Sequence, residues 1–245
     1  MNNVAVITAR NEEATIFPLV KALIGMGFVV LVCDDASTDR TRRMSEEAGA
    51  HVIHNARRMG IRCSLVRLWW HAVNMYGAKT VVQLDAGGSH NPADAAGLVA
   101  RISLGFDFGG DVAIGSRFCP YGHYYGGSWW RKMGSRVMSG LCNWAMRTRI
   151  TDWSSGYRAF SLKAIRCLSN RTYFARGHAW QLETLAFAVQ EGLNVVDFPI
   201  SYAAGESSLR FSGVLEALNV YLMILFNQTG VRAKSGDTPA QGRGR

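Results

Sequence analysis

Short apolar runs alternate with helix-forming stretches along most of the chain, and this alternation constrains the fold more than any other feature. Runs typical of buried strands lie at residues 4–9, 28–33, 51–54, 80–84, 111–115 and 195–200. Amphipathic stretches of helical length separate them. Strands and helices that alternate in this way form a mostly parallel sheet with helices on both faces. We therefore predict an α/β fold in a single compact domain.

Polar residues follow four of these runs directly, at positions 8–12, 34–35, 85–89 and 116–117. In open α/β sheets, ligands bind in the crevice beyond the carboxyl ends of the parallel strands. The four segments are therefore predicted to form one rim of the sheet and to hold the ligand there.

Charge and cysteine content narrow the class of protein. The 245 residues carry a formal net charge of +9, most of it from arginine. Such an excess favours phosphates of a nucleotide, a lipid head group or nucleic acid, although a solvated basic face fits equally well. Five scattered cysteines without ligand spacing indicate a reducing compartment and no structural zinc. With no secretory pattern or apolar run of membrane-spanning length, we expect a cytoplasmic protein, either free or peripheral at a membrane surface.

Six motifs carry a resemblance to a known family. They are ITARNEE, VCDDASTDRT, QLDAGGSHNP, IGSRF, WWRKMGSR and DWSSGYRAF, spread over residues 4–200. Their order and spacing resemble family 2 glycosyltransferases, most closely the branch that acts on dolichol or polyprenol phosphate. The resemblance implies a GT-A (Rossmann-like) fold and inverting transfer of a sugar from a GDP-mannose or UDP-glucose type donor to a polyprenyl phosphate.

The same resemblance suggests how the chain is divided. Residues 1–227 would form the glycosyltransferase domain, with a nucleotide-binding half at 1–116 and an acceptor half at 117–227. Residues 228–245 are rich in Gly and Arg and have little to bury, so we expect a disordered basic tail.

The resemblance also implies the residues that bind the nucleotide-sugar. They are Thr8, Ala9, Arg10, Glu12, Asp34, Asp35, Asp85, Ala86 and Arg117. Carboxylates at the end of a buried strand suit hydrogen-bond donors of a base or ribose. Aspartates in that position also cap helices and turns, and for Asp34 and Asp35 both interpretations stay open.

Asp85 matches the first acid of the family's Asp-x-Asp metal motif, whereas Gly87 stands in place of the second. Hard cations are often held by one or two carboxylates together with substrate phosphates and waters. We therefore expect Asp85 to hold Mg²⁺ or Mn²⁺ against the donor diphosphate. The alternative is that Arg117, Arg131 and neighbouring arginines neutralise the diphosphate while the glycines let the backbone approach it.

Four positions, one of them again Arg117, match residues that bind phosphate in the family. They are Arg117, Arg131, Ser135 and Arg158, and Ser135 lies one helical turn after Arg131. Asp152 matches an aspartate near the reacting centre, where it could act as a base toward a hydroxyl or orient Arg158. Asp152, Asp85 and Arg158 are thus the predicted catalytic residues. A phosphate acceptor would need no strong base, because it is already ionised at neutral pH.

The acceptor is the least determined part of the prediction. Members that use a lipid phosphate carry basic residues after the last core strand, where this chain has Ala203, Ala204 and Ser208. A predicted helix at 214–226 could rest on a bilayer or pack on the domain. One alternative is transfer to a macromolecule, either a protein side chain or a modified DNA base, with the basic surface as the docking face. Another, motivated by Gly87, is an inactive nucleotide-sugar-binding protein.

Overall fold

The computed structural model of the chain describes residues 3–103, 109–205 and 211–226, with the backbone alone at 211–214. The basic tail predicted at residues 228–245 lies outside the described residues.

The described residues contain nine strands. They are β1 (Asn3–Ala9), β2 (Val29–Asp34), β3 (His51–His54), β4 (Thr80–Asp85), β5 (Val112–Ser116), β6 (His123–Tyr125), β7 (Arg158–Ser161), β8 (Val195–Pro199) and β9 (Ser201–Ala203). Seven of them form one sheet in the order β3-β2-β1-β4-β7-β5-β8, while β6 and β9 pair in a small parallel sheet. All pairings in the large sheet are parallel except the two made by β7.

Eight helices are described. They are α1 (Ile16–Gly25), α2 (Thr41–Glu47), α3 (Ile61–Tyr76), α4 (Asp94–Ser103), α5 (Trp129–Met146), α6 (Leu162–Ser169), α7 (Trp180–Gln190) and α8 (Phe211–Phe226). Successive side chains along a strand point to opposite faces of the sheet. Accordingly, Val4 and Val6 join a cluster with α3 and α5 to α8, whereas Ala5 and Ile7 join a second cluster with α1 and α4. The predicted α/β sheet covered on both faces is confirmed.

Strand β7 was not predicted, and it shapes the rim. Four residues are too short a run to stand out from the sequence around them. In the sheet, Arg158 of β7 lies opposite both Gln83 of β4 and Ile114 of β5, and the two pairings are antiparallel. The amino end of an antiparallel strand lies at the carboxyl ends of its parallel neighbours. Residues 152–157 are therefore brought to the same rim as the segments after β1, β2, β4 and β5.

Two helix glycines test how tightly the sheet is packed. A Cβ at Gly97 of α4 would overlap the ring of Phe198 on β8, whereas a Cβ at Gly140 of α5 would meet nothing within 4 Å. We expect Gly97→Ala to lower the free energy of unfolding by about 1–3 kcal/mol through overpacking. The matched change Gly140→Ala should raise it by about 0.5–1 kcal/mol through helix propensity. Urea unfolding measures both, and equal effects of the two variants would contradict the packing.

Candidate active site

The loops that follow β1 and β2 are joined into one platform at the rim. The amide oxygen of Asn11 accepts the backbone N–H of Thr38 at 2.9 Å, and the Glu12 N–H donates to Thr41 Oγ1 at 2.7 Å. Asn11 and Ala36 both adopt left-handed backbone conformations, with φ of 57° and 58°. Residues that have a Cβ adopt this backbone conformation at an energetic cost, which the surrounding hydrogen bonds must offset. The platform is therefore held in a fixed shape before any ligand binds.

Asp34 and Asp35 lie beneath this platform and are both buried. The Asp35 carboxylate accepts the backbone N–H groups of Met59 and Gly60 at 2.7 and 2.9 Å. Asp34 contacts His54 Nδ1 at 2.9 Å and also accepts the Ser37 N–H. The two aspartates thus hold the neighbouring loops, which is the turn-capping interpretation left open by the sequence. Their contact with a donor base or ribose stays a prediction.

Asp85 stands in the open part of the rim. It lies beside Thr8 in the register of β4 and β1, and 42% of its side chain is exposed. A Cβ at Gly156 would lie 3.5 Å from both Asp85 carboxylate oxygens, and a Cβ at Gly87 would lie 3.7 Å from both Glu12 carboxylate oxygens. The Asp85 carboxylate thus lies beside the backbone of Gly156, and the Glu12 carboxylate lies beside the backbone of Gly87.

The remaining predicted donor residues contribute in different ways. Arg10 is exposed, whereas Ala9 and Ala86 are buried, and the Ala9 carbonyl accepts the Asp35 N–H. The pKa of Glu12 is raised, mainly by partial burial and further by the negative charges of Asp85 and Asp39. Negative charge is thus concentrated on this side of the rim.

His90 lies close to Asp85 but is committed to packing. Its Nδ1 accepts the Asp85 backbone N–H at 3.3 Å. Its ring packs against Tyr157 and Tyr202, with centroids 4.8 and 5.4 Å away. Burial lowers its pKa, so the ring is neutral at physiological pH. His90 thus stabilises the turn at Asp85 through this hydrogen bond and this packing.

A metal at this rim would have few protein ligands. Among the described residues, no group of three or more His, Cys, Asp or Glu side chains is arranged to hold a metal ion. Asp85 provides one exposed carboxylate, and Glu12 provides a second beside Gly87. This set fits a hard cation that completes its coordination with substrate phosphates and waters, and it does not fit a cage made of protein ligands alone.

Arg117 and Asp152 form a buried ion pair on the other side of the rim. Arg117 Nε and Nη2 donate to the two Asp152 oxygens at 2.7 and 2.8 Å, and Nη2 also donates to Ser154 Oγ. Asp152 is fully buried and the Arg117 side chain nearly so. The sequence suggested that Asp152 would act as a base or orient Arg158. The structure places it against Arg117 instead, with both oxygens occupied.

Three aromatic rings enclose the Arg117 guanidinium. Its carbon lies 5.1 to 5.2 Å from the ring centroids of Phe118, Tyr124 and Tyr202. Aromatic faces attract a cation, and more strongly when the cation is desolvated. Arg117 is thus surrounded on several sides, and its charge is already balanced by Asp152. Direct binding of phosphate by Arg117 has no support in this arrangement.

Arg158 is fully buried, and its guanidinium is bound by backbone carbonyls. Its guanidinium donates to the backbone carbonyls of Ser155, Gln181 and Trp153 at 2.8 to 3.0 Å. Burial lowers its pKa to about 9, although the charge of Asp152 opposes this shift. The arrangement does not support the predicted phosphate contact of Arg158. It instead joins the loop at 152–157, which holds two of its carbonyl partners, to α7, which holds the third.

Helix α5 carries two of the predicted phosphate-binding residues. Arg131 and Ser135 are both half-buried on α5. Two further cations of the same helix approach the Arg117 cluster, since Lys132 Nζ donates to the Tyr124 carbonyl at 2.9 Å and Arg136 stacks on Phe118 at 5.1 Å. The amino-terminal half of α5 therefore supplies positive charge to the acceptor side.

Two glutamines were missed as a pair. Gln83 Nε2 donates to Gln181 Oε1 and to the Gly156 carbonyl, both at 3.2 Å. The Gln181 amide nitrogen lies 3.3 Å from the position of a Cβ at Gly156, beside the Asp85 carboxylate. A single amide within the apolar run of β4 was the available signal for Gln83. Their pairing could not be read from the sequence, because α7 lies about a hundred residues further along the chain.

The sheet and its rim are those of an open α/β protein, and proteins of this class bind ligands at the carboxyl ends of their parallel strands. Comparison with known proteins makes the class specific, because the glycosyl transferase family 2 model matches residues 4–174. The chain belongs to glycosyl transferase family 2 and is a glycosyltransferase that depends on a nucleotide-sugar.

Two relatives and one solved structure illustrate the similarity. The chain is 28% identical over 199 residues to polyprenol monophosphomannose synthase of Mycolicibacterium smegmatis, covering 77% of this chain and 73% of the relative. It is 28% identical over 204 residues to undecaprenyl-phosphate mannosyltransferase of Micrococcus luteus, covering 77% and 79%. Glucosyl-3-phosphoglycerate synthase from Mycobacterium tuberculosis, solved with Mn²⁺, uridine diphosphate and phosphoglyceric acid, superposes with a TM-score of 0.70 at 20% identity, over 92% of this chain and 78% of that one. The predicted GT-A fold is confirmed.

The two rim aspartates should differ sharply in their effect on stability. Asp152→Ala leaves the Arg117 charge buried without its partner, so we expect a loss of about 3–5 kcal/mol in the free energy of unfolding. Asp85→Ala removes a carboxylate that is partly exposed, so its effect should stay within about 1 kcal/mol. The double variant Arg117→Leu/Asp152→Ala should lose less than the sum of the single changes. Denaturant unfolding tests this, and similar losses for Asp152→Ala and Asp85→Ala would contradict the buried pair.

Proposed function

We propose that this glycosyltransferase transfers a hexose, with inversion, from a GDP-mannose or UDP-glucose type donor to a polyprenyl phosphate. The two relatives named above act on polyprenyl phosphates according to their names, and each is similar over more than three quarters of this chain. These names support the acceptor class, while the sugar and the nucleotide stay open between the two donor types.

The engagement of Asp152 is the observation that carries the proposal. A hydroxyl acceptor must lose its proton as it attacks, and this requires an accessible base. Asp152, which matches the family's aspartate near the reacting centre, is fully buried and bound through both oxygens to Arg117. An acceptor that carries its own negative charge avoids this requirement. A phosphate monoester is such an acceptor, whereas a hydroxyl of a protein side chain or of a modified DNA base is not.

The chemistry then follows from the two sides of the rim. A phosphate oxygen of the acceptor attacks the anomeric carbon of the sugar. The bond from that carbon to the donor diphosphate breaks, and the nucleoside diphosphate leaves with the electron pair. The partly exposed Asp85 side of the rim receives the diphosphate end of the donor, and the cations of α5 attract the acceptor phosphate. No proton has to be removed in this step.

The metal belongs to the same proposal. We infer that Asp85, with Glu12 nearby, holds Mg²⁺ or Mn²⁺, and such a cation would neutralise the charge that develops on the leaving diphosphate. The alternative in which arginines replace the metal is weakened, because the charge of Arg117 is already balanced by Asp152.

A comparison of two acceptors tests the reaction. A short-chain polyprenyl phosphate in detergent should accept labelled sugar from at least one donor in a panel of GDP- and UDP-sugars. The matching polyprenol, which has a hydroxyl in place of the phosphate, should react at least about 100-fold more slowly, because Asp152 is bound by Arg117 and is not free to act as its base. Equal turnover of the two lipids, or preferential transfer to hydroxymethylated DNA or to protein, would refute the proposed acceptor.

Metal binding can be measured without turnover. Mn²⁺ titrations followed by electron paramagnetic resonance should show weak binding to the free protein and at least about tenfold tighter binding when nucleoside diphosphate is present, because the phosphates complete the coordination. Asp85→Asn should remove this coupling. Glu47→Gln, which alters an exposed carboxylate paired with Arg43 on α2, should leave it unchanged.

A second variant separates the two ways of neutralising the donor. Gly87 does not adopt a left-handed conformation, and a Cβ there would make only ordinary contacts. Gly87→Asp should therefore tighten Mn²⁺ binding in the presence of nucleoside diphosphate. If it instead weakens nucleotide binding while EDTA leaves turnover intact, arginines perform the neutralisation.

A second candidate, binding of a nucleotide-sugar without transfer, is favoured by one observation, the absence of a carboxylate at position 87. Metal-dependent binding of a donor by calorimetry, with no transfer to any acceptor in the panel, is the outcome that would establish it.

A further inference from the structure

Helix α5 turns an apolar face to the outside of the protein. Six large apolar side chains on this face are exposed: Trp129, Trp130, Met133, Val137, Leu141 and Trp144. They recur at the three- and four-residue spacing of one helix face, and Gly134 and Gly140 lie between them. The end residues Trp129 and Trp144 are 76% and 75% exposed. Exposed apolar patches of this kind, especially those rimmed by polar residues, mark interaction sites.

Helix α8 packs beside α5 and also exposes large apolar side chains. Its Val220, Tyr221 and Ile224 are buried against the domain, whereas Leu215, Leu218, Leu222 and Phe226 are exposed. The helix predicted at 214–226 thus packs on the domain with one face and leaves a second apolar face uncovered. We call the exposed faces of α5 and α8 together the apolar surface.

The stretch that contains α5 is strongly basic. Residues 112–151 contain six cations, Arg117, Arg131, Lys132, Arg136, Arg147 and Arg149, and no Asp or Glu. Arg136 lies at the edge of the exposed α5 face, and Arg147 and Arg149 follow the helix at its carboxyl end. The apolar surface is therefore bordered by positive charge.

We propose that the apolar surface docks on an anionic lipid bilayer, with α5 and α8 lying in the plane of the membrane. Interfacial helices combine an apolar face rich in Trp, Phe and Leu with basic residues at its border. Tryptophan suits the interface between membrane and water, because its ring is apolar and its N–H is polar. None of the helices within the described residues is both long and apolar enough to cross a bilayer.

Nucleic acid fits the same surface less well. Single-stranded nucleic acid is bound by aromatic rings interleaved with cations that track its phosphates. On the exposed faces of α5 and α8, Arg136 is the single cation among the described side chains, and the centre of the surface holds Met133, Val137 and Leu141. Such side chains match acyl chains and offer nothing to a phosphate backbone.

Docking of this kind would bring a lipid acceptor to the rim, and this step alone rests on the proposed function. Helix α5 contacts the acceptor region on its protein-facing side, where Ser139 Oγ accepts the Trp153 N–H, and at its edge, where Arg136 stacks on Phe118. The phosphate of a polyprenyl phosphate at the membrane surface would therefore meet the cations of α5 while its prenyl chain stays in the bilayer.

Flotation with vesicles tests the docking on the full chain. The protein should float with vesicles of phosphatidylcholine mixed with phosphatidylglycerol, and less with phosphatidylcholine alone or at high salt. Trp129→Ser/Trp144→Ser should weaken the partition onto mixed vesicles by at least about tenfold, since two interfacial anchors are lost. Trp70→Ser is the matched control: Trp70 is 54% exposed on α3, outside the apolar surface, and its loss should leave partition unchanged.

Several outcomes would overturn the docking proposal. They are absence of flotation, equal partition of the double variant and the control, tighter binding of single-stranded DNA than of mixed vesicles, and a dimer in solution that the double variant disrupts. Transfer to a short-chain acceptor in detergent keeps the two proposals distinct. If this transfer persists while flotation fails, docking is wrong and the proposed reaction stands.

Discussion

The ion pair between Arg117 and Asp152 is the interaction on which the acceptor side of the protein depends. A charge that is removed from water must be paired and hydrogen-bonded, or its burial is prohibitively costly. Arg117 follows directly on β5, and Asp152 precedes β7, so the pair joins the ends of two neighbouring strands. The rings of Tyr124 on β6 and Tyr202 on β9 close over the same guanidinium. One side chain therefore fixes the small two-stranded sheet above the rim of the large one.

This pairing also decides how charge is distributed across the rim. Because Asp152 balances Arg117, the net positive charge on the acceptor side comes from α5, whereas Glu12 and Asp85 leave the donor side negative. A diphosphate beside Asp85 would be repelled unless a cation lies between them. The distribution therefore suits an anionic acceptor on one side and a metal-bound donor on the other. The same α5 that carries the acceptor cations turns its apolar face outward, so the helix couples the site to the surface.

The sequence predicted the frame of the fold better than the roles of individual residues. Six strands were predicted within about a residue of their observed ends, because buried parallel strands are apolar runs that stand out between helices. Strands β6, β7 and β9 lacked such a signal, because each spans only three or four residues. Helix α6, which spans eight residues, was not predicted either. The rim was predicted correctly as a set of segments, since the carboxyl ends of parallel strands must meet at one edge. What each side chain contacts there depends on pairings across long stretches of chain. Arg158 is the clearest case, because nothing local distinguishes an arginine that binds phosphate from one whose guanidinium is bound by three backbone carbonyls.

Gly156 and Gly87, which lie beside the carboxylates of Asp85 and Glu12, are subject to different constraints. At Gly156 a side chain would press on the Gln181 amide and the Asp85 carboxylate together, so close packing favours glycine there. At Gly87 the backbone conformation is ordinary for any residue, and the nearest atoms to a Cβ are the Glu12 oxygens at 3.7 Å. An acid at position 87 would therefore fit sterically, but it would add a third negative charge beside Glu12 and Asp85. Like charges held this close destabilise one another unless a cation is bound between them. Glycine at this position relieves the metal-free protein of that repulsion, and the same absence of a ligand makes the cation depend on the donor diphosphate for its coordination.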